Sequence, residues 1–121
     1  MRVAGFGFRA GATLASLRAA LGQAGGGAGL AALATAADKA DTPVLRALAA
    51  ELALPIRAVA LHVLADQVAT ASAHVPLRYG ARSLAEAAAL AAAGPGARLV
   101  VARVKSADGM ATAAIAEGRG Q

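Results

Sequence analysis

An arginine stands among glycines in the sequence VAGFGFRAGAT, residues 3–13, just before a helical pattern begins. A strand, a glycine-rich turn and a helix form the usual architecture of an anion-binding site, because the first N–H groups of a helix have no partner inside the helix. The guanidinium of Arg9 would converge on the same anion through charge-assisted hydrogen bonds. The segment therefore predicts a site for an anion.

A purely structural interpretation of the same segment stands beside the first. A cation at a helix N-terminus works against the helix dipole, and a bound anion would relieve that conflict. Exposure of Arg9 to solvent would relieve it as well. The glycines also fit a tight turn that needs their backbone angles. The segment by itself leaves both interpretations open.

A nucleotide is a poor candidate for this anion. Residues 5–10 match the G-x-G-x-x-A form of the dinucleotide fingerprint. That fingerprint needs an acidic residue ~20 positions later to hold the ribose, and no acidic residue precedes Asp38. A chain of 121 residues has no room for a second mononucleotide-binding half, and no P-loop motif is present. We therefore expect no cofactor.

The composition narrows the class of partner. The net charge is +5, aromatic residues make up 2 % and there is no Trp. The positive surplus suits an anionic small molecule, whereas nucleic acid usually requires stacking aromatics or a basic stripe. The absence of cysteine excludes disulfides and Zn–sulfur sites, and two histidines without acidic neighbours are a poor metal site. No segment is typical of a membrane span or a signal peptide, so we expect a cytoplasmic protein.

Short apolar runs alternate with helical patterns along the chain. Thr13 is the expected N-cap of the first helix, Asp41 or Thr42 that of the second, and Ser83 and Glu86 form a capping box before the last. A loop is expected over residues 70–82. The predicted elements are strands over 2–6, 30–35 and 56–60, helices over 14–24, 40–52, 61–69 and 83–93, and a hairpin of strands 98–104 and 110–116.

This order predicts an α/β fold. Strands that alternate with helices form a mainly parallel sheet covered on both faces, and the closing hairpin makes the sheet mixed. We expect one three-layer α/β/α domain over residues 1–121 with a small sheet that ends in a β-hairpin. Ligands of such sheets bind beyond the carboxyl ends of the parallel strands. That edge would collect residues 5–13, residues 35–42 and the start of the 70–82 loop.

Three segments, taken in order, resemble one family. GFGFRAGAT resembles a G-x-G-C-R-x-G-[ST] turn, ATAADKADTPVLRALAAELALP resembles a strand that leads through Lys-Ala-Asp into a helix, and GARSLAEAAAL precedes a strand and a Lys-Ser pair. These are signatures of the CobE protein and the C-terminal domain of CbiG in cobalamin (vitamin B12) biosynthesis. The resemblance covers nearly the whole chain, and its length resembles the stand-alone CobE form. In one departure, Phe8 stands where the family usually has cysteine.

The resemblance implies a role in corrin-ring assembly and a set of ligand-binding residues. Asp41 could instead be a helix cap, Lys105 and Ser106 could be turn residues, and His62, His74 and Tyr79 are weaker candidates. No catalytic residue is assigned. The residues carried over are Gly5, Gly7, Arg9, Gly11 and Thr13 from the first motif, Lys39 and Asp41 from the second, and Lys105 and Ser106 from the third.

Three functions remain open from the sequence. The first is a carrier or accessory protein that binds a precorrin or corrinoid polycarboxylate through Arg9, Lys39 and Lys105. The second is an enzyme of the same pathway, such as a precorrin lactone hydrolase or a ring-rearranging activity. The third is a non-catalytic partner of another corrin-pathway enzyme, such as a methyltransferase. Cysteine is absent, so no thiol nucleophile is available to the second.

Overall fold

The computed structural model describes residues 1–60, 62–63 and 84–118. The predicted strands and helices within these ranges are confirmed, with ends that move by a few residues. The predicted 61–69 helix, except its helical residues 62–63, and the loop with His74 and Tyr79 lie outside the described residues, as does Ser83. The elements are β1 Arg2–Phe8, α1 Leu14–Gln23, β2 Leu30–Ala36, a 3-10 turn Ala37–Lys39, α2 Pro43–Leu52, β3 Ile56–Val59, α3 Leu84–Ala93, β4 Arg98–Lys105 and β5 Ala111–Glu117.

The five strands form one mixed sheet in the order β3-β2-β1-β5-β4. The pairs β1–β2 and β2–β3 are parallel, whereas β5 is antiparallel to both β1 and β4. Because β5 alone is reversed, β4 runs in the direction of β1. The carboxyl ends of β1, β2, β3 and β4 therefore meet at one edge, which we call the carboxyl edge. The expected sheet and its closing hairpin are confirmed.

Helices cover both faces of the sheet, as expected for three layers. On one face, α1 and α2 bury Leu17, Leu45 and Leu48 against Phe6 and Leu33 of the sheet. On the other face, the alanine-rich helix α3 packs against a second cluster of buried residues that includes Val3 and Val59. Alanines on α3 let the helix lie close to the strands, so this layer is thin. Among the described residues, no helix is long and apolar enough to cross a membrane.

The segment GFGF, expected to end a strand and start a turn, is entirely strand in the structure. Its alternation matches the two-residue period of a strand, so Phe6 and Phe8 pack against the α1–α2 layer and Gly5 and Gly7 face α3. A Cβ on Gly5 would overlap the carbonyl oxygen of Ala85. The backbone angles of Gly5 and Gly7 are not the left-handed ones. Close packing, and not a tight turn, therefore explains these glycines.

The starts of α1 and α2 both fall at residues expected from the sequence, and for α2 the structure decides between two candidates. The Oγ1 of Thr13 accepts a hydrogen bond from the N–H of Ser16 at 3.1 Å, which confirms Thr13 as the N-cap of α1. The N-cap of α2 is Thr42, without a side-chain hydrogen bond, and Pro43 follows. The interpretation of Asp41 as the cap of α2 is therefore wrong. Proline's fixed φ angle preorganises this first turn in place of a side-chain cap.

Candidate binding site at the carboxyl edge

A cavity of about 200 Å³ opens at the carboxyl edge, between the end of β1 and the turn of residues 106–110 that joins β4 to β5. We call it the carboxyl-edge cavity. The strand register places Gly7 beside Thr112 and Thr112 beside Lys105, so three neighbouring strands contribute at the same level. The cavity is lined by Gly7, Phe8, Arg9, Lys105, Gly109, Met110, Ala111 and Thr112.

The space beside Thr112 in the cavity is open because Gly7 has no side chain. The hydroxyl of Thr112 donates to the carbonyl oxygen of Gly7 at 3.2 Å. A Cβ on Gly7 would lie 3.0 Å from the same hydroxyl oxygen, closer than neighbouring side chains usually approach. Glycine at this position thus leaves room above the strand and leaves the hydrogen bond of Thr112 intact.

Phe8 lines the cavity, and its ring contacts a cation. The ring is half-buried, whereas the other phenylalanine of the chain, Phe6, is fully buried in the core. The Nζ of Lys39 lies 5.6 Å from the centroid of the Phe8 ring, within the range of a cation–π interaction. This contact brings a charge from the end of β2 to a residue that lines the cavity.

The cations of this edge form no ion pair within the described residues, a property that Arg46, Arg57 and Arg103 share elsewhere in the fold. The ion pairs there are Arg2 and Arg98 with Glu117, at 2.9 and 3.8 Å, and Arg18 with Glu51. None of them involves a cation of the carboxyl edge. Arg9 and Lys105 are exposed and Lys39 is half-buried, so their charges face the solvent around the cavity. Asp38 and Asp41 flank Lys39 and are exposed, but neither lines the cavity.

Asp108 is exposed, precedes the lining residue Gly109 and links the β4–β5 turn to α1. Its Oδ2 accepts from the hydroxyl of Ser16 at 2.6 Å, and its Oδ1 accepts from the hydroxyl of Ser106 at 2.5 Å and from the N–H of Met110 at 3.0 Å. The hydrogen bonds from Ser106 and then Ser16 lower the pKa of Asp108 from 3.8 to about 2. No acidic residue stands in the first turn of α1. Asp108 brings a negative charge to this helix start from 92 residues away.

Comparison with known proteins identifies the family. The family model "Cobalamin synthesis G C-terminus" matches residues 2–116. The chain belongs to this family. The resemblance inferred from the three motifs is thus confirmed.

Two solved structures of cobalamin biosynthesis proteins are similar to this member of the cobalamin synthesis G C-terminal family. One is protein chiG from Agrobacterium tumefaciens strain C58, with 40% identity and a TM-score of 0.74 over 98% of this chain and 99% of that one. The other is CobE, a protein of the cobalamin (vitamin B12) biosynthetic pathway, with 39% identity and a TM-score of 0.74 over 96% of this chain and 89% of that one. A search of curated proteins finds no significant match.

The structure brings together most of the residues predicted for the site. Gly7, Arg9 and Lys105 line the cavity, and Lys39 reaches it through Phe8. Just behind this lining, a Cβ on Gly11 would lie 3.1 Å from the methyl carbon of Met110. Two further predicted residues, Thr13 and Ser106, belong to the hydrogen-bond network of Asp108.

Two predicted residues lie away from the cavity. Gly5 is buried beneath α3, where its missing side chain serves helix packing. Asp41 is exposed on the loop before α2 and is not part of the lining. Sequence reasoning did not assign Met110, Thr112, Ser16 or Asp108 to the site. The spacing Ser-x-Asp-Gly in the turn signals a local Ser106–Asp108 contact, but no sequence pattern links Asp108 to Ser16.

The titratable groups offer no metal centre in the described part of the chain. No three His, Cys, Asp or Glu side chains come together there in an arrangement that could hold an ion. His62 is exposed after the end of β3. The carboxyl-edge cavity is lined instead by the guanidinium of Arg9, the ammonium of Lys105 and apolar groups, and the ammonium of Lys39 contacts Phe8.

Proposed function

We propose that this protein binds a precorrin or corrinoid intermediate through its peripheral carboxylates, as a carrier or accessory factor of cobalamin biosynthesis. Membership of the family supports the pathway. The observation that carries the proposal is a group of cations beside an apolar side chain at the carboxyl edge, none of which forms an ion pair within the described residues. Arg9 and Lys105 line the cavity, and Lys39 stands over Phe8. A corrin ring has carboxylate arms around an apolar macrocycle, which matches both features.

The size of the cavity supports contact with one side of such a ligand. Pockets that enclose a small molecule usually measure about 300–1,000 Å³, and this cavity holds about 200 Å³. A whole macrocycle exceeds that volume, whereas one or two carboxylate arms fit. The protein would therefore hold the rim of the ring and leave the remaining surface open, an arrangement that suits delivery to another protein.

The hydroxyls near the cavity favour binding over hydrolysis. Ser106 donates to Asp108 at 2.5 Å, so this pair resembles a nucleophile with its base. A carboxylate whose pKa is lowered to about 2 is a poor proton acceptor at neutral pH. Ser106 is also buried, and it accepts a hydrogen bond from the N–H of Ala111. These contacts support a structural role for the pair.

Calorimetric titration with cobyrinic acid, a corrin that carries free carboxylates, tests the proposal. We expect binding of cobyrinic acid and little binding of its fully methylated ester, because the ester retains the ring and lacks the charges. Binding of the ester with equal affinity would contradict the role of the cations. NAD and ATP serve as further controls, and tighter binding of either would contradict the proposed ligand class.

Mass analysis of the corrinoid after incubation separates the candidate functions. Unchanged ligand mass together with binding supports a carrier or accessory factor. A changed mass would instead identify an enzyme of the pathway. Absence of both binding and conversion would favour the third function, a protein partner of another corrin-pathway enzyme.

A further inference from the structure

The carboxylate of Asp108 contacts the backbone of the cavity without lining it. It accepts a hydrogen bond from the N–H of Met110 at 3.0 Å. The carbonyl oxygen of Met110 in turn accepts from the N–H of Arg9 at 2.9 Å. Two hydrogen bonds therefore connect Asp108 to the backbone of a cavity cation. On the other side of the turn, Asp108 holds Ser106, which directly follows Lys105.

The other end of this connection is fixed in the protein interior. Ser16, which donates to Asp108, is 2 % exposed, and Ser106 is 4 % exposed. Buried hydroxyls that lose their partner cannot turn to solvent instead, so both are expected to keep their bonds to Asp108. Ser16 is also held by the N-cap contacts of Thr13, and the next residue, Leu17, is fully buried. Helix α1 is thus a rigid anchor for the turn.

We propose that Asp108 is a positioning residue of the binding site. Anchored on α1 through Ser16, it fixes the turn so that Arg9 and Lys105 are held on two sides of the cavity before a ligand arrives. The inference rests on the proposed binding of a polycarboxylate. Its physical basis is preorganisation, because a turn that is already ordered loses less conformational freedom when the ligand binds.

Replacement of Asp108 by asparagine tests the proposal, because positioning and simple electrostatics predict opposite changes in affinity for an anion. Removal of a negative charge beside a cationic cavity would by itself strengthen the binding of an anion. Positioning predicts the opposite, since the amide cannot accept at both of its terminal atoms. We expect D108N to bind cobyrinic acid roughly tenfold more weakly than the wild type, a difference typical of one lost charge-assisted contact.

Two matched variants accompany this one. Ser16→Ala removes the anchor and leaves Asp108 in place, so it should weaken binding in the same direction. Glu51→Gln makes the same carboxylate-to-amide change on α2, where Glu51 pairs with Arg18, and should leave affinity unchanged. Amide hydrogen exchange at Arg9 and Met110 should become faster in D108N and S16A and stay unchanged in E51Q.

The same measurements separate failure of this inference from failure of the proposed function. If wild-type protein does not bind cobyrinic acid, the proposed function fails, and hydrogen exchange at Arg9 and Met110 decides the positioning role by itself. Unchanged or tighter binding by D108N, or unchanged exchange, overturns the inference. Leu48→Ala, on the buried face of α2, controls for general destabilisation. If it weakens binding as much as D108N does, the role of Asp108 is merely structural.

Discussion

The arginine and lysine side chains at the two edges of the sheet differ in whether they form ion pairs. At the edge where β1 and β4 begin, Arg2 and Arg98 share the carboxylate of Glu117, at 2.9 and 3.8 Å. At the carboxyl edge, Arg9 and Lys105 form no ion pair within the described residues and line a cavity instead. Cations of the first kind have a carboxylate partner in the protein. Those of the second kind have no such partner within the described residues. Arg46, Arg57 and Arg103 share that property, so it is the lining of the carboxyl-edge cavity that distinguishes Arg9 and Lys105.

The acidic residues show the same contrast. Glu117 lies half-buried across the strand ends, where the hydrogen bond from Arg2 and the charges around it lower its pKa. Asp108 at the carboxyl edge also has a lowered pKa, but hydroxyl and amide groups stabilise its charge. Because Asp108 accepts from neutral donors, it does not neutralise Arg9 or Lys105. Asp38 and Asp41 also lie at this edge, so its cations and carboxylates are equal in number, but neither of these two carboxylates lines the cavity.

The largest loss of affinity is expected when all three cations at the carboxyl edge are removed. We expect the triple variant of Arg9, Lys39 and Lys105 to alanine to lose affinity for cobyrinic acid on the order of a hundredfold, because several charge-assisted contacts disappear together. Calorimetric titration measures the loss.

The matched control for this variant is Arg2, Arg18 and Arg98 to alanine, which lowers the net charge equally at paired positions. We expect nearly wild-type affinity from it. Equal losses in the two triple variants would mean that net charge, and not the cavity, governs binding.

The single variant Arg9→Ala tests whether one cation of the cavity affects binding without affecting stability. Loss of one charge-assisted bond of about 1.5–3 kcal/mol should weaken binding about tenfold or more. The fold should be unaffected, because the side chain is exposed and the backbone N–H of residue 9 still donates to Met110. Titration and thermal unfolding should be measured on the same sample. A sharp fall in melting temperature with unchanged affinity would show that Arg9 is structural.

Acid should weaken the network of Asp108. The folded-state pKa of Asp108 is about 2 and its ordinary value is 3.8, so its contribution to stability is present above about pH 4 and is lost as the pH falls toward 2. Urea unfolding of wild type and D108N across this range should show a stability difference that narrows on acidification. Asp38→Asn, an exposed carboxylate on the same edge, is the control. A difference independent of pH would argue against an ionised Asp108 in the network.

The smallest effect is expected from Glu117→Gln at the opposite edge. It removes the ion pairs to Arg2 and Arg98, and such exposed pairs contribute little because solvent and salt screen them. The melting temperature should change by less than about 2 °C, and affinity for cobyrinic acid should not change. Differential scanning calorimetry at low and high salt measures this. A larger fall in melting temperature that persists in high salt would indicate that Glu117 stabilises the fold by more than screened ion pairs.

The sequence predicted those features that depend on local pattern. Thr13 as a helix cap, the stop of α3 before Gly94 and the closing hairpin all follow from signals a few residues long. The end of β1 was predicted too early, because glycines next to Phe8 suggested a turn. Their alternation with phenylalanine has the period of a strand, and the close approach of α3 explains them.

The candidate site was predictable only in part, because it depends on distant contacts. Arg9 was recognised from its unusual place before a helix, and Lys39 and Lys105 from the resemblance of their segments to a family. The contact of Asp108 with Ser16 joins residues 92 positions apart, and nothing in either local sequence indicates it. The contact arises because β5 lies beside β1 in the sheet, which brings the turn before β5 to the start of α1.

The position of β5 has a consequence for how the domain folds. This strand is the last element among the described residues, yet it lies between β1 and β4 and pairs with both. During synthesis, β1 and β4 can both pair with β5 only after β5 has been made, and contacts between segments so distant in sequence form slowly. Ala111 and Thr112 of β5 also complete the carboxyl-edge cavity. A growing or truncated chain without β5 would therefore lack both the strand that joins β1 to β4 and part of the cavity lining, so we expect the cavity to form only once β5 has paired.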